Sequence, residues 1–149
     1  MTQLLQMIQA ARYLPFEVEV KMMLGEGYLL SEEFERSKQT LEEALDLAEH
    51  LKMNYFIGWS NRLLGEIAKI ANLNRAAAHF DKSVNICKKI GAENELAFAF
   101  AGYGRLHKHQ GNIAEARGYF EKALEIFERF GTLIEPEKIR KELAELPEA

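Results

Sequence analysis

GYGRLHKHQGNIAEARGYFEKALEIFERFG, the stretch at residues 102–131, carries the pattern that decides the fold of this chain. A small residue, Gly104, comes before a Gly-Asn dipeptide that favours a turn, and two further small residues, Ala116 and Ala123, flank the aromatic Phe120. Small and large side chains in this order are typical of two antiparallel helices that pack closely and then stack on a copy of themselves. The stretch therefore predicts a helical hairpin that is one unit of a repeat.

The same pattern occurs twice more, upstream of this stretch. Its glycines fall 39 or 40 residues apart, at Gly25, Gly65 and Gly104. The large residues of the second helix keep the same phase, at Leu41, Phe80 and Phe120. A glycine inside a helix usually costs about 1 kcal/mol relative to alanine. Its regular recurrence therefore predicts that the paired helix approaches closely at each of these positions.

Turn signals between the units give a helix map. Helices are predicted at 2–13, 16–30, 33–51, 54–71, 73–90, 93–110, 113–130 and 135–146. Pro15 separates the first two, Ser31 is predicted to cap the third because glutamates follow it, and Asn72 lies in a turn. Helices are predicted to stop at Gly91, Gly111 and Gly131. No segment alternates with the period of two expected of a strand, so the pattern predicts an all-α chain.

These motifs resemble the tetratricopeptide repeat. The best match runs Leu24-Gly25…Tyr28…Ser37…Leu41…Ala44, although the period of 39 to 40 residues exceeds the usual 34. The resemblance implies an α-α superhelix, a right-handed solenoid of antiparallel helix pairs with about three repeats and terminal helices. The expected organisation is one domain, 1–149, divided into an N-terminal helix at 1–14, repeats at 16–51, 54–90 and 93–130, and a capping helix at 135–146.

Composition excludes several classes of protein. With 149 residues, 48% of them hydrophobic, the chain can bury the core of one domain. No apolar run approaches the roughly 20 residues needed to cross a bilayer, and no signal peptide is recognisable. The net charge of −4 argues against nucleic acid and anionic lipid as partners. Because Cys87 is the single cysteine, a reducing, cytoplasmic location is the expected one.

Residue patterns for catalysis, cofactors or metals are lacking, so we expect no enzyme. His107 and His109 are two residues apart on a predicted helix and point in different directions, which does not suit a metal site. His107 occupies the position of Tyr28 in the first repeat and is predicted to be a packing residue. Cys87 lies on the covered side of a helix and is predicted to be a small buried hydrophobe.

The resemblance implies that the first helix of each pair lines a concave groove. The central groove residues are then Trp59, Arg62, Glu66, Lys69, Phe98, Arg105, Lys108 and His109. Equivalent positions extend the surface at Glu19, Met22, Glu26, Leu29, Leu30, Ile70, Ala101, Lys138, Lys141 and Glu145. The cations Arg62, Arg105 and Lys108 are expected to hold acidic groups of a protein or peptide. Trp59 and Phe98 either anchor that partner or pack between adjacent first helices.

One activity of related repeats is not expected. Members that grip the C-terminal carboxylate of chaperones use Lys and Asn in the first repeat, where this chain has Met22 and Glu26. A glutamate would repel the carboxylate.

The first predicted helix is unusually apolar. Its apolar residues are Leu4, Leu5, Met7, Ile8, Ala11 and Leu14, and Arg12 is its only charge. It is either a second-type helix from an upstream repeat or a contact with another copy of the chain. The main hypothesis is thus a protein-interaction scaffold. The alternative is a regulatory or self-association module of a larger bacterial or archaeal signalling system, since GTLIEPEKIRKEL, from Gly131, resembles the ends of repeat tails on cyclase- and ATPase-type proteins.

Overall fold

Seven helices make up the part of the chain that the computed structural model describes, residues 2–148, and no strand occurs there. They are α1 (Gln3–Leu30), α2 (Phe34–His50), α3 (Asn54–Ala71), α4 (Leu73–Ile90), α5 (Glu93–His109), α6 (Ile113–Arg129) and α7 (Ile134–Glu145). The expected domain also included Met1 and Ala149, which lie outside the described residues. The predicted all-α architecture is confirmed.

The helices pair in chain order, and the pairs stack. α1 packs on α2, α3 on α4 and α5 on α6, while α7 packs on α6. The first helices also meet across the repeats, because α3 contacts both α1 and α5. α1, α3 and α5 therefore form an inner row, which a hydrogen bond between Arg105 and Glu142 extends to α7, and the result is a solenoid of tetratricopeptide type.

The motif glycines explain how closely the helices of a pair approach. A Cβ atom added to them would lie 2.5 Å from Leu41, 3.0 Å from Phe80 and 2.9 Å from Phe120, in chain order. Those three large side chains are fully buried. In the first pair, the Ser37 hydroxyl also donates a hydrogen bond of 2.7 Å to the Gly25 carbonyl. The prediction that each glycine faces its paired helix is confirmed.

Five of the links between the described helices contain a residue in the left-handed region, one or two positions after the helix ends. Gly91, Gly111 and Gly131 have φ of 70°, 81° and 67°, as the turn signals predict. The two equivalent links in the first half carry Glu32 and Lys52, with φ of 61° and 56°. Side chains rarely adopt these values, so both links are strained relative to the glycine ones. The link at Asn72 differs, because its side chain accepts a hydrogen bond from the Arg75 N–H and caps α4.

Two predictions near the start of the chain are wrong. Pro15 does not separate two helices but lies inside α1. Proline lacks an N–H and leaves the carbonyl four residues earlier without its helical partner. That residue, Ala11, is exposed, so water can satisfy the carbonyl and the helix continues. The N-terminal residues are consequently part of the first helix of repeat one, not a second-type helix from an upstream repeat.

Ser31 is likewise not the cap of α2. It follows the last residue of α1, and its N–H donates to the Gly27 carbonyl at 3.0 Å. α2 begins after Glu33, whose side chain makes no capping bond. Ser31 is instead the C-terminal cap of α1, because the next residue, Glu32, lies in the left-handed region and reverses the chain.

Candidate partner-binding groove

All eight central groove residues lie on the two middle helices of the inner row. α3 carries Trp59, Arg62, Glu66 and Lys69, and α5 carries Phe98, Arg105, Lys108 and His109. Towards α7 the two helices border a cleft of about 680 Å³. Its lining residues are Lys69, Arg105, Lys108, His109, Glu142 and Glu145. The structure thus brings together four of the eight residues that the sequence singled out, and adds two glutamates from α7.

Arg62 is committed to a buried ion pair within the fold. Its Nε donates to Glu95 Oε2 at 2.8 Å and its second donor, Nη2, to Oε1 at 3.0 Å. The two side chains are only 12% and 5% exposed. Burial lowers the pKa of Arg62, but the hydrogen bonds and charge of Glu95 outweigh this and raise the pKa overall. The guanidinium also covers the Phe98 ring, with 5.0 Å from its central carbon to the ring centroid.

The sequence analysis missed Glu95 as the partner of Arg62. A signal for it was present, because the equivalent positions nine residues before the motif glycine are Phe16 and Phe56 in the first two repeats. Phe56 packs against the core, so a glutamate at the equivalent position of the third repeat indicates a buried acid that needs a cation.

Arg105 is also paired, but at a more exposed place. Its Nε and Nη2 donate to the Glu142 carboxylate of α7 at 2.6 to 3.0 Å. The side chains are 33% and 21% exposed. Burial lowers the pKa of Arg105, and the hydrogen bonds and charge of Glu142 reverse the shift and raise it. This pair therefore joins the last repeat to the capping helix.

The two lysines of the cleft are less firmly held. Lys69 donates to Glu66 on its own helix at 2.9 Å, and its side chain is 24% exposed. Lys108 is half-buried and forms no ion pair with another described residue. His109 is exposed beside it. Lys108 is consequently the cation of the cleft that an acidic partner can reach without displacing an internal pair.

Both groove aromatics pack against neighbours. Trp59 stacks on Phe56 with 6.0 Å between ring centroids, and Phe98 meets Phe127 edge to face at 5.0 Å. Each remains half-buried. The buried Nε1 of Trp59 has no acceptor among the described residues. These contacts favour a packing role, one of the two alternatives for this pair.

Residues 59–129 match the family described as Tetratricopeptide repeat. This match confirms the tetratricopeptide resemblance for residues 59–129. The matched segment contains all eight central groove residues, and such repeats generally mediate protein–protein interaction. No curated protein matches the chain. In the described part of the chain, no helix is long and apolar enough to cross a membrane.

Two residues that the tetratricopeptide resemblance placed in the groove are buried instead. Met22 is 0% exposed and Ala101 is 2% exposed. Both stand three residues before the motif glycine, as Arg62 does in the second repeat. The Met22 sulfur accepts a hydrogen bond from the Ser60 hydroxyl of α3 at 2.9 Å, just as Arg62 meets Glu95 of α5. This position therefore belongs to the seam between successive first helices, where one repeat packs on the next.

The remaining candidate groups are structural. His107 packs against both Tyr103 and Tyr119, with centroid distances of 5.0 and 5.3 Å, and these two rings also contact each other at 4.7 Å, which confirms its predicted packing role. Cys87 is fully buried, as predicted, and burial raises the pKa of its thiol to about 11. Within residues 2–148, no group of three His, Cys, Asp or Glu side chains is placed to hold a metal ion. What the groove offers is binding through charge, hydrogen bonds and aromatic surface.

Proposed function

We propose that this tetratricopeptide-repeat chain is a scaffold that binds an acidic segment of a protein or peptide in its groove. The observation that carries the proposal is the open cleft beside α7, where Lys69, Lys108 and His109 converge. The partner's carboxylates would approach Lys108, which no described residue neutralises.

The local electrostatics support this orientation of the partner. The Lys69–Glu66 pair joins residues three apart on one helix, and such partly exposed pairs contribute less than about 1 kcal/mol. A carboxylate of the partner can therefore replace Glu66 at little cost. Glu142 and Glu145 border the same cleft, so the acidic group is expected on its α3 side, away from α7.

Apolar contacts would come from further along the groove. Tyr55 is 43% exposed and meets the Trp59 ring at 6.2 Å between centroids. Aromatic side chains of this kind contribute strongly to peptide interfaces. We expect the bound segment to carry an apolar residue for this surface in addition to its acidic end.

Selection from a phage-displayed peptide library tests the proposal, followed by fluorescence anisotropy with the selected peptides. We expect them to be enriched in Asp and Glu and to lose at least about tenfold in affinity with the Lys69→Glu, Lys108→Glu double variant. Lys82→Glu on α4, an exposed lysine outside the cleft, is the matched control. Arg105 is a poor probe because its replacement would also release α7.

Two results would contradict the proposal. One is a set of basic or uncharged peptides, and the other is equal loss of affinity with Lys82→Glu. Self-association, the alternative function, would use the N-terminal part of α1, which lies outside the groove, and so would not compete with the partner.

A further inference from the structure

The solvent-facing side of α1 carries large apolar residues along most of its length. They are Leu5, Tyr13, Phe16, Val20, Met23 and Leu24, between 37% and 69% exposed. At 3.6 residues per turn they fall on one side of the helix, opposite Val18 and Met22, which are fully buried. This outer stripe has no partner among the described residues.

The later repeats show what these positions do when they are covered. Val20, Met23 and Leu24 correspond, forty residues on, to Ser60, Leu63 and Leu64 of α3. Those three are 0%, 2% and 4% exposed because the preceding repeat packs on them, with Met22 bonded to Ser60. In α5 the equivalents Ala99 and Gly102 are buried in the same way. The outer stripe of α1 is thus the stacking face of a repeat, left open.

We propose that a second copy of this chain covers this face, with the two α1 helices antiparallel about a two-fold axis. The length of α1 supports a second copy of the chain as the partner. It has 28 residues, whereas the other helices have 12 to 18. Residues 2–13 are all exposed, so the first 11 of the 28 residues of α1 extend past its own repeat. A second α1 is long enough to lie along the whole of this helix. A helix pair of ordinary length would leave part of it uncovered.

Charge and shape agree on one register. Arg12 and Glu17 are the only charged residues between Gln3 and Val18. An antiparallel register that places each Arg12 opposite Glu17 of the other copy also places Tyr13 opposite Phe16 and Leu5 opposite Leu24. The same register places Val20 opposite Gln9 and Met23 opposite Gln6. Because a two-fold interface repeats every contact, the two ion pairs flank a central aromatic cluster of Tyr13 and Phe16 from both copies.

Both charges are available for this contact. Arg12 forms no ion pair with another described residue. Glu17 lies 3.6 Å from Lys21, but Lys21 holds Glu43 more closely, at 2.7 Å. Glu17 is half exposed, so it can turn to a guanidinium of the second copy.

The other end of the solenoid argues against end-to-end assembly. α7 presents charged side chains there, such as Lys138 and Arg140, which are 58% and 55% exposed. Its exposed apolar residues, Leu133 and Ile134, are confined to the link and first residue of the helix. The apolar stripe of α1 therefore fits its own copy better than it fits α7.

Sedimentation velocity and light scattering on the whole chain test the proposal. We expect a dimer, and a dissociation constant raised at least tenfold by Arg12→Glu or Glu17→Arg alone. The double variant, with both changes, should restore the dimer because the opposite charges meet again. Phe16→Glu should give a monomer, whereas Met7→Glu, 64% exposed on the opposite side of the helix, should not. Circular dichroism confirms that each variant is folded.

Three outcomes would overturn the inference. The first is a strict monomer up to about 1 mM, since weaker association carries little free energy. The second is an assembly that grows beyond the dimer, which indicates end-to-end contact. The third is a dimer that tolerates Phe16→Glu, or that the double charge exchange fails to restore, because either result places the interface elsewhere on the molecule.

Discussion

The two seams between repeats are built differently, although the same glycine motif occurs on both sides of each. At the first seam, between α1 and α3, Met22 is buried against the Ser60 hydroxyl and no ion pair links the two repeats in the described chain. At the second seam, between α3 and α5, the buried Arg62–Glu95 pair takes the equivalent place. One seam is mainly apolar and the other is held by charge.

This difference teaches that the repeat motif fixes the helix pair but not the way in which pairs attach. An apolar seam can slide or exchange with similar surfaces, whereas a bidentate pair has one good geometry. Burying two charges costs several kcal/mol in desolvation. We therefore expect the Arg62–Glu95 pair to fix how the two repeats align at the second seam more than to add net stability. The contrast also explains why the available cations lie at one end of the groove: Arg62 and Glu95 neutralise each other in its middle, whereas Lys69 and Lys108 line the cleft towards α7.

The largest expected effect is breaking the second seam with Glu95→Ala. The change leaves the Arg62 guanidinium buried without its carboxylate, which typically costs about 3 to 5 kcal/mol. Urea-induced unfolding measures the loss, with Glu125→Ala, an exposed glutamate of α6, as control. The combined Arg62→Met, Glu95→Leu variant should be much less destabilised than Glu95→Ala alone. Equal loss in both would mean that packing, not charge, holds this seam.

A smaller loss is expected from Gly102→Ala at the same seam. A Cβ atom there would lie 2.5 Å from the Phe80 ring and 2.7 Å from Glu66 Oε1. Phe80 is fully buried and cannot move aside freely, so we expect a loss of about 1 to 3 kcal/mol. Gly27→Ala is the matched control, because nothing lies within 4 Å of its Cβ position. That variant should gain up to about 1 kcal/mol in the free energy of unfolding. A neutral Gly102→Ala would contradict the close approach.

Much of the fold follows from the sequence because its signals are local. The helix pairs, the glycines facing Leu41, Phe80 and Phe120, and the glycine turns each depend on residues near one another or in the same phase. The continuity of α1 was missed because the cost of Pro15 depends on whether water reaches the Ala11 carbonyl, which is a tertiary property.

The groove was predicted less well than the fold. Assigning positions by family pattern found the cleft residues Lys69, Arg105, Lys108 and His109, but placed Met22 and Ala101 on the wrong surface. The position three before the glycine is apolar, charged or small in successive repeats, so its identity does not reveal that it lies in the seam. Whether this position lies in the seam depends on the residue that faces it from the next repeat, which is Ser60 for Met22 and Glu95 for Arg62.

The smallest effect tests the links that precede the two seams. Lys52 lies in the link before α3 with φ of 56°, whereas Gly91 lies in the link before α5 with φ of 70°. A side chain in this region is strained by roughly 1 kcal/mol relative to glycine, although glycine loses more backbone entropy on folding. We therefore expect Lys52→Gly to raise the free energy of unfolding by about 0.5 kcal/mol and Gly91→Lys to lower it by a similar amount or more. Urea unfolding measures both variants. If Lys52→Gly destabilised the chain, the lysine would have to contribute contacts that outweigh its backbone strain, and the two links would differ in more than the residue at their left-handed position.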